Sequence, residues 1–186
     1  MRKTIFIAVV AGFGLGGLIS AIIWSGHGAA VDYPRPVWTE VQWPFPIDQW
    51  GKGKAFQCRP SDCGAEVNLY LRAKIGFCNC TTGVDDDDEV ARLSDFHLMG
   101  RQLEPFGEGR PISVAWMKGR SRAYAISDPV RPGSKSALSV AFNDRCDAVV
   151  ATVVLGHNRP ALIEPGVLEF LNGKSVLRWA EITLGL

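Results

Sequence analysis

Residues 4–24, TIFIAVVAGFGLGGLISAIIW, lack any charged side chain. Backbone in lipid must satisfy itself, which excludes a loop or a lone strand and leaves a helix; about 20 residues cross the hydrocarbon. The chain also lacks the familiar signatures of catalysis. There is no G-x-S-x-G, no H-E-x-x-H, no P-loop and no dinucleotide fingerprint. Histidine is scarce, with only His27, His97 and His157. Asp95 and His97 stand two apart, a spacing that does not bring side chains face to face on a helix. A nucleophile–base pair of Cys146 and His157 can be drawn, but only spatial proximity would support it. No enzyme and no small-molecule substrate follow from this. The chain also lacks a strong charge bias, its formal net charge being +1. No basic patch interleaves with aromatics, so nucleic-acid binding is unsupported. Internal repeats and long low-complexity tracts are absent as well.

The apolar segment is preceded by Arg2 and Lys3 and closed by Trp24. A cleaved secretory signal has a basic start, an apolar core of about 7–15 residues and a small-residue cleavage site. Gly28-Ala29-Ala30 resembles such a site, but the core is too long and ends several residues earlier. We therefore read residues 1–26 as a retained transmembrane signal anchor. No cysteine follows it closely, so a lipoprotein processing site is absent. Basic residues stay cytoplasmic, which sends the rest of the chain outside. The expected location is a bacterial inner membrane, crossed once, with the C-terminal domain in the periplasm. Ala8, Gly12, Gly16 and Ser20 recur every four residues and line one helical face. Small residues there let a second helix approach closely. They are the candidate helix–helix interface, and a mere tether has no need of it.

Residues 27–54 read as an extended arm. It carries Pro34, Pro36, Pro44 and Pro46 together with Tyr33, Trp38, Trp43, Phe45 and Trp50. Proline at this density disfavours helix. A free linker would be rich in Gly and Ser and poor in rings. These five aromatics call for burial, either at the lipid interface, on the chain's own domain, or on another subunit. They are the candidate partner-docking residues.

Residues 55–186 are long enough for one domain with its own core. Five cysteines occur, Cys58, Cys63, Cys78, Cys80 and Cys146. In an oxidising compartment disulfides are expected, with Cys58, Cys63, Cys78 and Cys80 as the candidates. The odd count leaves one thiol over, and Cys146 is the natural one by position. Cys58 and Cys63 can close a small loop if the chain turns at Arg59-Pro60-Ser61-Asp62. The sharper alternative is a soft-metal site, since C-x-C thiolates suit Cu(I) or Zn(II). Against it, Ala65, Val67, Leu69, Leu71, Ala73, Ile75 and Phe77 alternate with Glu66, Asn68, Arg72 and Lys74, the pattern of a half-buried strand. Such a strand carries the chain roughly 40 Å and separates the two cysteine pairs. No metal site and no cofactor are assigned.

Further along, the acidic run Asp85 to Glu89 marks a helix start, giving a short helix over 86–94. Calcium ligation is the alternative, but neither EF-hand spacing nor its glycine is present. Residues 111–127 predict a hairpin turning at Lys118-Gly119-Arg120-Ser121, and 136–142 with 148–155 predict another around 143–147. The continuous β-branched run 148–155 predicts a central strand. Pro165 to Leu171 predicts a short helix stopped by Gly173, and 175–184 a final strand. The fold class is α+β, a mainly antiparallel sheet with a few short helices after one transmembrane helix. The expected function is a single-pass accessory or structural subunit docked on a larger membrane complex, with other integral membrane subunits as partners. The alternative is a periplasmic metal- or thiol-handling module built on the cysteines.

Overall fold

The computed structural model describes residues 36–77, 79–99, 103–127, 135–156 and 160–186. The apolar segment, its ridge of Ala8, Gly12, Gly16 and Ser20, and Tyr33, Cys78 and His157 lie outside the described residues. Among the described residues, no helix is long and apolar enough to cross a membrane.

Seven strands form one sheet: β1 (Thr39–Val41), β2 (Lys54–Cys58), β3 (Val67–Lys74), β4 (Leu103–Val114), β5 (Met117–Ile126), β6 (Lys135–Asp144) and β7 (Asp147–Gly156). Their spatial order is β1-β2-β3-β7-β6-β5-β4, and every neighbouring pair is antiparallel. Two meanders, β1–β3 and β4–β7, meet where β3 pairs with β7. That junction puts β7 fourth of seven, and its Ala148–Val153 are buried on both faces. The expected central strand is therefore present, for the expected reason: a continuous apolar run suits a strand covered on both sides.

One face packs against α3 (Pro160–Leu171) and α4 (Lys174–Leu184). Leu69 and Leu71 of β3, Val149, Ala151 and Val153 of β7, and Leu138, Val140 and Phe142 of β6 meet Val167, Leu171, Val176 and Ala180 there. The other face is covered by α2 (Asp87–Leu93), by a 3-10 turn at Phe96–Met99, and by the loop between β1 and β2. Under α2 lie Val90 and Leu93 against Ala141, Ala148 and Val150.

Three local readings need correction. Residues 175–184 form a helix, not a strand. Val176, Ala180 and Leu184 recur every four residues and are its buried side, so the helical period prevailed over the β-branched content. Gly173 caps its start and Gly185, at φ 73°, ends it. The β4–β5 hairpin turns at Ala115-Trp116, between Val114 and Met117, not at 118–121. Ala115 takes a left-handed φ of 51° without being glycine, so no turn-forming residue marks the position. Gly119 sits within β5 because a side chain there would collide with the Ala141 carbonyl of β6. Third, α3 begins at Pro160 rather than Pro165, proline being well placed at a helix start.

The outermost strands are protected. β4 carries Pro105 and Pro111, charges at Glu104, Glu108 and Arg110, and a bulge between Phe106 and Arg110. Each of these opposes pairing with another strand.

Candidate functional site

The arm is the first element to place. Trp38 lies on the α3 side, its ring 5.1 Å from Phe170, which in turn meets Phe56 at 4.8 Å. Thr39–Val41 then adds an edge strand to β2. Trp43 and Phe45 come down on the opposite face, Trp43 being 7% exposed. Phe45 meets Tyr70 at 4.8 Å and Trp50 meets Phe77 at 4.7 Å, both edge to face. The arm thus clasps the β2–β3 edge from both sides. Gly53 makes room for it: a Cβ there would come within 2.5 Å of the Trp43 ring and of the Leu71 carbonyl oxygen. Proline-bound rings are held with little conformational entropy to lose.

Beneath this strap lies a buried ionic cluster. Arg72 and Lys74 alternate with Leu71 and Ala73, so they point away from the α3–α4 core. They are nonetheless buried, at 0% and 2% exposure. The Arg72 Nη2 donates to Asp48 Oδ1, and its Nη1 lies 3.8 Å from Asp95 Oδ1. Lys74 Nζ donates to the Leu93 carbonyl at 2.6 Å and sits 2.9 Å from Asp95 Oδ1, an ion pair without hydrogen-bond alignment. Arg72 also lies over the Trp43 ring at 5.7 Å, and Lys74 over Trp50 and Phe77 at 5.9 and 5.7 Å. Two cations, two carboxylates and aromatic walls thus balance in a low-dielectric site. Burial pushes the Asp48 carboxyl up. The Trp50 N–H, Arg72 and His97 pull it further down, so it stays below the usual carboxylate value.

A polar row continues across the same face. Tyr70, Thr152, Ser139 and Arg122 stand opposite one another on β3, β7, β6 and β5. Ser139 and Ser94 hydroxyls share a 2.5 Å hydrogen bond, and Ser94 donates to the Val90 carbonyl. Thr152 Oγ1 and the Nε of Arg72 are buried with no hydrogen-bond partner among the described residues.

The acidic run is committed to structure. Asp86 caps α2, accepting from the Glu89 N–H at 2.7 Å. Asp87 accepts from the Gly109 N–H at 2.9 Å and pairs with Arg120 and Arg122, at 2.9 and 3.5 Å. On the helical face, Glu164 of α3 is buried and accepts from Ser121 and Arg110. Among the described residues no group of three or more His, Cys, Asp and Glu side chains could hold a metal ion.

The cysteines form two disulfides, Cys58–Cys63 and Cys80–Cys146. The first closes the small loop expected at Arg59–Asp62, which here is the one-turn helix α1 (Pro60–Cys63). The second corrects the expectation that Cys146 is left over. The β6–β7 turn brings Cys146 beneath the β3–α2 loop, a long-range approach that spacing does not reveal. Three of the four proposed thiolate ligands are therefore of sulfurs bound in disulfides, as is the thiol of the Cys146–His157 pair. His97 is 61% exposed and 3.9 Å from Asp48, while Asp95 turns inward to the cations.

Arg72, Lys74, Asp48 and Asp95 were not legible as a site. Strict alternation marks Arg72 and Lys74 as solvent-facing, and nothing local shows that α2 and the arm cover that face. The one available signal was the pairing of two long cations with the ring-rich arm upstream.

The sequence matches no protein-family model and none of the characterised proteins compared with it.

Proposed function

We propose that this chain is a single-pass membrane-anchored accessory subunit, with a disulfide-stapled α+β domain outside the cytoplasm, docked on a larger integral membrane complex. The observation that carries the location is the pair of disulfides in a domain downstream of Arg2, Lys3 and the uncharged segment 4–24. Disulfides persist where the compartment is oxidising, and the basic flank directs the domain to that side. The docking half of the reading is supported by the ridge of Ala8, Gly12, Gly16 and Ser20. The arm supports it less directly, since Trp38, Trp43, Phe45 and Trp50 pack within their own domain. The alternative metal- or thiol-handling module loses support in the oxidised chain, where only Cys78 lies outside the two disulfides.

The test is extraction in mild detergent followed by native sizing. A complex larger than the chain, with co-purifying membrane proteins, is expected. A monomer with no co-purifying membrane protein would sink the proposal. Gly12→Leu with Gly16→Leu should preserve insertion and weaken the association.

A further inference from the structure

We propose that Arg72 is a carboxylate-binding site, occupied in this structure by the chain's own Asp48, and that the segment from Pro44 to Trp50 is its exchangeable cover, Trp43 staying in place as a wall of the site. The ligand class is an acidic side chain presented between aromatic residues by a partner chain. The inference rests on the domain alone and does not depend on the membrane-docking proposal.

Groups other than Asp48 hold Arg72 in place. Arg72 is wholly buried, held between Asp95 at 3.8 Å and the Trp43 ring at 5.7 Å. A guanidinium fixed in this way loses little freedom when it binds an anion. Its natural partner is a carboxylate that accepts two parallel hydrogen bonds. Asp48 supplies only one. Its Oδ1 serves both Arg72 Nη2 and the Trp50 N–H, the latter at 2.8 Å, because the tight turn from Asp48 to Gly51 holds the carboxylate in place. Its Oδ2 faces His97 instead, at 3.9 Å. The Arg72 Nε is left buried and without a partner. A carboxylate free of that turn can bridge Nη2 and Nε together.

Charge points the same way. Arg72 and Lys74 balance Asp95 and Asp48 in the closed state. Withdrawing Asp48 leaves the cluster one positive charge in excess, which favours an anion in its place. The cover is the part of the site best able to leave. Asp48 keeps 30% of its side chain exposed. Phe45 and Trp50 are half-buried and touch Tyr70 and Phe77 by their edges. The segment ends at Gly51-Lys52-Gly53, where Gly51 takes a φ of 70° and absorbs the turn.

Chemical rescue tests this in the full chain. Asp48→Ala should lower the melting temperature, and formate or acetate should restore most of the loss along a saturable curve. The wild-type protein should not respond at the same concentrations, nor should chloride at matched ionic strength replace the carboxylate. If Asp48→Ala does not fold, Asp48→Asn keeps the shape of the turn and serves in its place. A second arm measures binding to this variant of the peptide WPFPIDQW, residues 43–50 of the chain, against the same peptide with Asn for Asp. At least a ten-fold preference for the acidic peptide is expected. Rescue by formate without peptide preference would overturn the acidic-chain occupant and assign the site to small carboxylates. No saturable rescue, or equal rescue by chloride, would overturn the carboxylate site altogether.

Discussion

Opening the Cys80–Cys146 disulfide is the perturbation with the largest effect to be worked out from this fold. The two cysteines are 66 residues apart, and the loop they close contains α2, β4, β5 and β6. Closing a loop of that length removes chain entropy from the unfolded state worth about 4 kcal/mol at 25 °C. The Cys58–Cys63 bond closes a loop of only 5 residues' separation, for which the same relation gives about 2 kcal/mol. The variant should be Cys80→Ser with Cys146→Ser in a Cys78→Ser background, which leaves no thiol to exchange with the Cys58–Cys63 disulfide. Cys80 is exposed and Cys146 half-buried, so little packing is lost with them. The reference is Cys78→Ser alone. For a domain of this size each kcal/mol moves the melting temperature by about 2–4 °C, so a fall of roughly 8–16 °C is expected. Calorimetry of the detergent-solubilised chain reads both the shift and its division into enthalpy and entropy. A shift below about 3 °C would refute the loop-entropy reasoning. So would a shift of full size carried entirely by enthalpy.

Three further outcomes are expected. Gly53→Ala should cost about 1–3 kcal/mol in denaturant unfolding, because its methyl meets the Trp43 ring and the Leu71 carbonyl oxygen at 2.5 Å; an unchanged midpoint would show that the clasp is loose. Thr152→Val should stabilise by about 1 kcal/mol, since it removes a buried hydroxyl with no partner among the described residues and keeps its shape; destabilisation would reveal that the hydroxyl is satisfied. The Asp48 and Asp87 carboxyls both lie below the ordinary 3.8: burial raises Asp48 before its partners lower it, and the Gly109 N–H leads the lowering of Asp87. Their contribution is therefore complete above the unfolded-state value and lost as pH falls through the lowered folded values. Unfolding midpoints should be flat from neutral pH to about 5 and fall steeply below 4. Asp87→Asn should flatten part of that fall, and an unaltered acid limb would contradict the Asp87 assignment.

How far the fold could be read from the chain varies by element. The run AVVATVVL declares a strand buried on both faces, and β7 is that strand. The acids before VARL declare a helix start, and Asp86 is its cap. Such features depend on neighbours within one or two turns. The Ala115-Trp116 turn was hidden because its positive φ falls on alanine. The C-terminal helix was hidden because ten residues containing Val, Trp, Ile and Thr satisfy either period.

By itself, then, the sequence determined the uncharged amino-terminal segment, an antiparallel sheet with a few helices, and an arm whose rings must be buried. Those follow from composition and periodicity, which act locally. Only the tertiary structure decided where the rings go, which cysteines meet and which charges are buried. The β3–β7 junction and the β6–β7 turn bring Cys146 to Cys80 across 66 residues. The arm folds back over β3 and converts Arg72 and Lys74 from a solvent-facing pair into the centre of a balanced ionic site. Burial belongs to the assembled face rather than to the residue, and alternation along one strand records only one of its two sides.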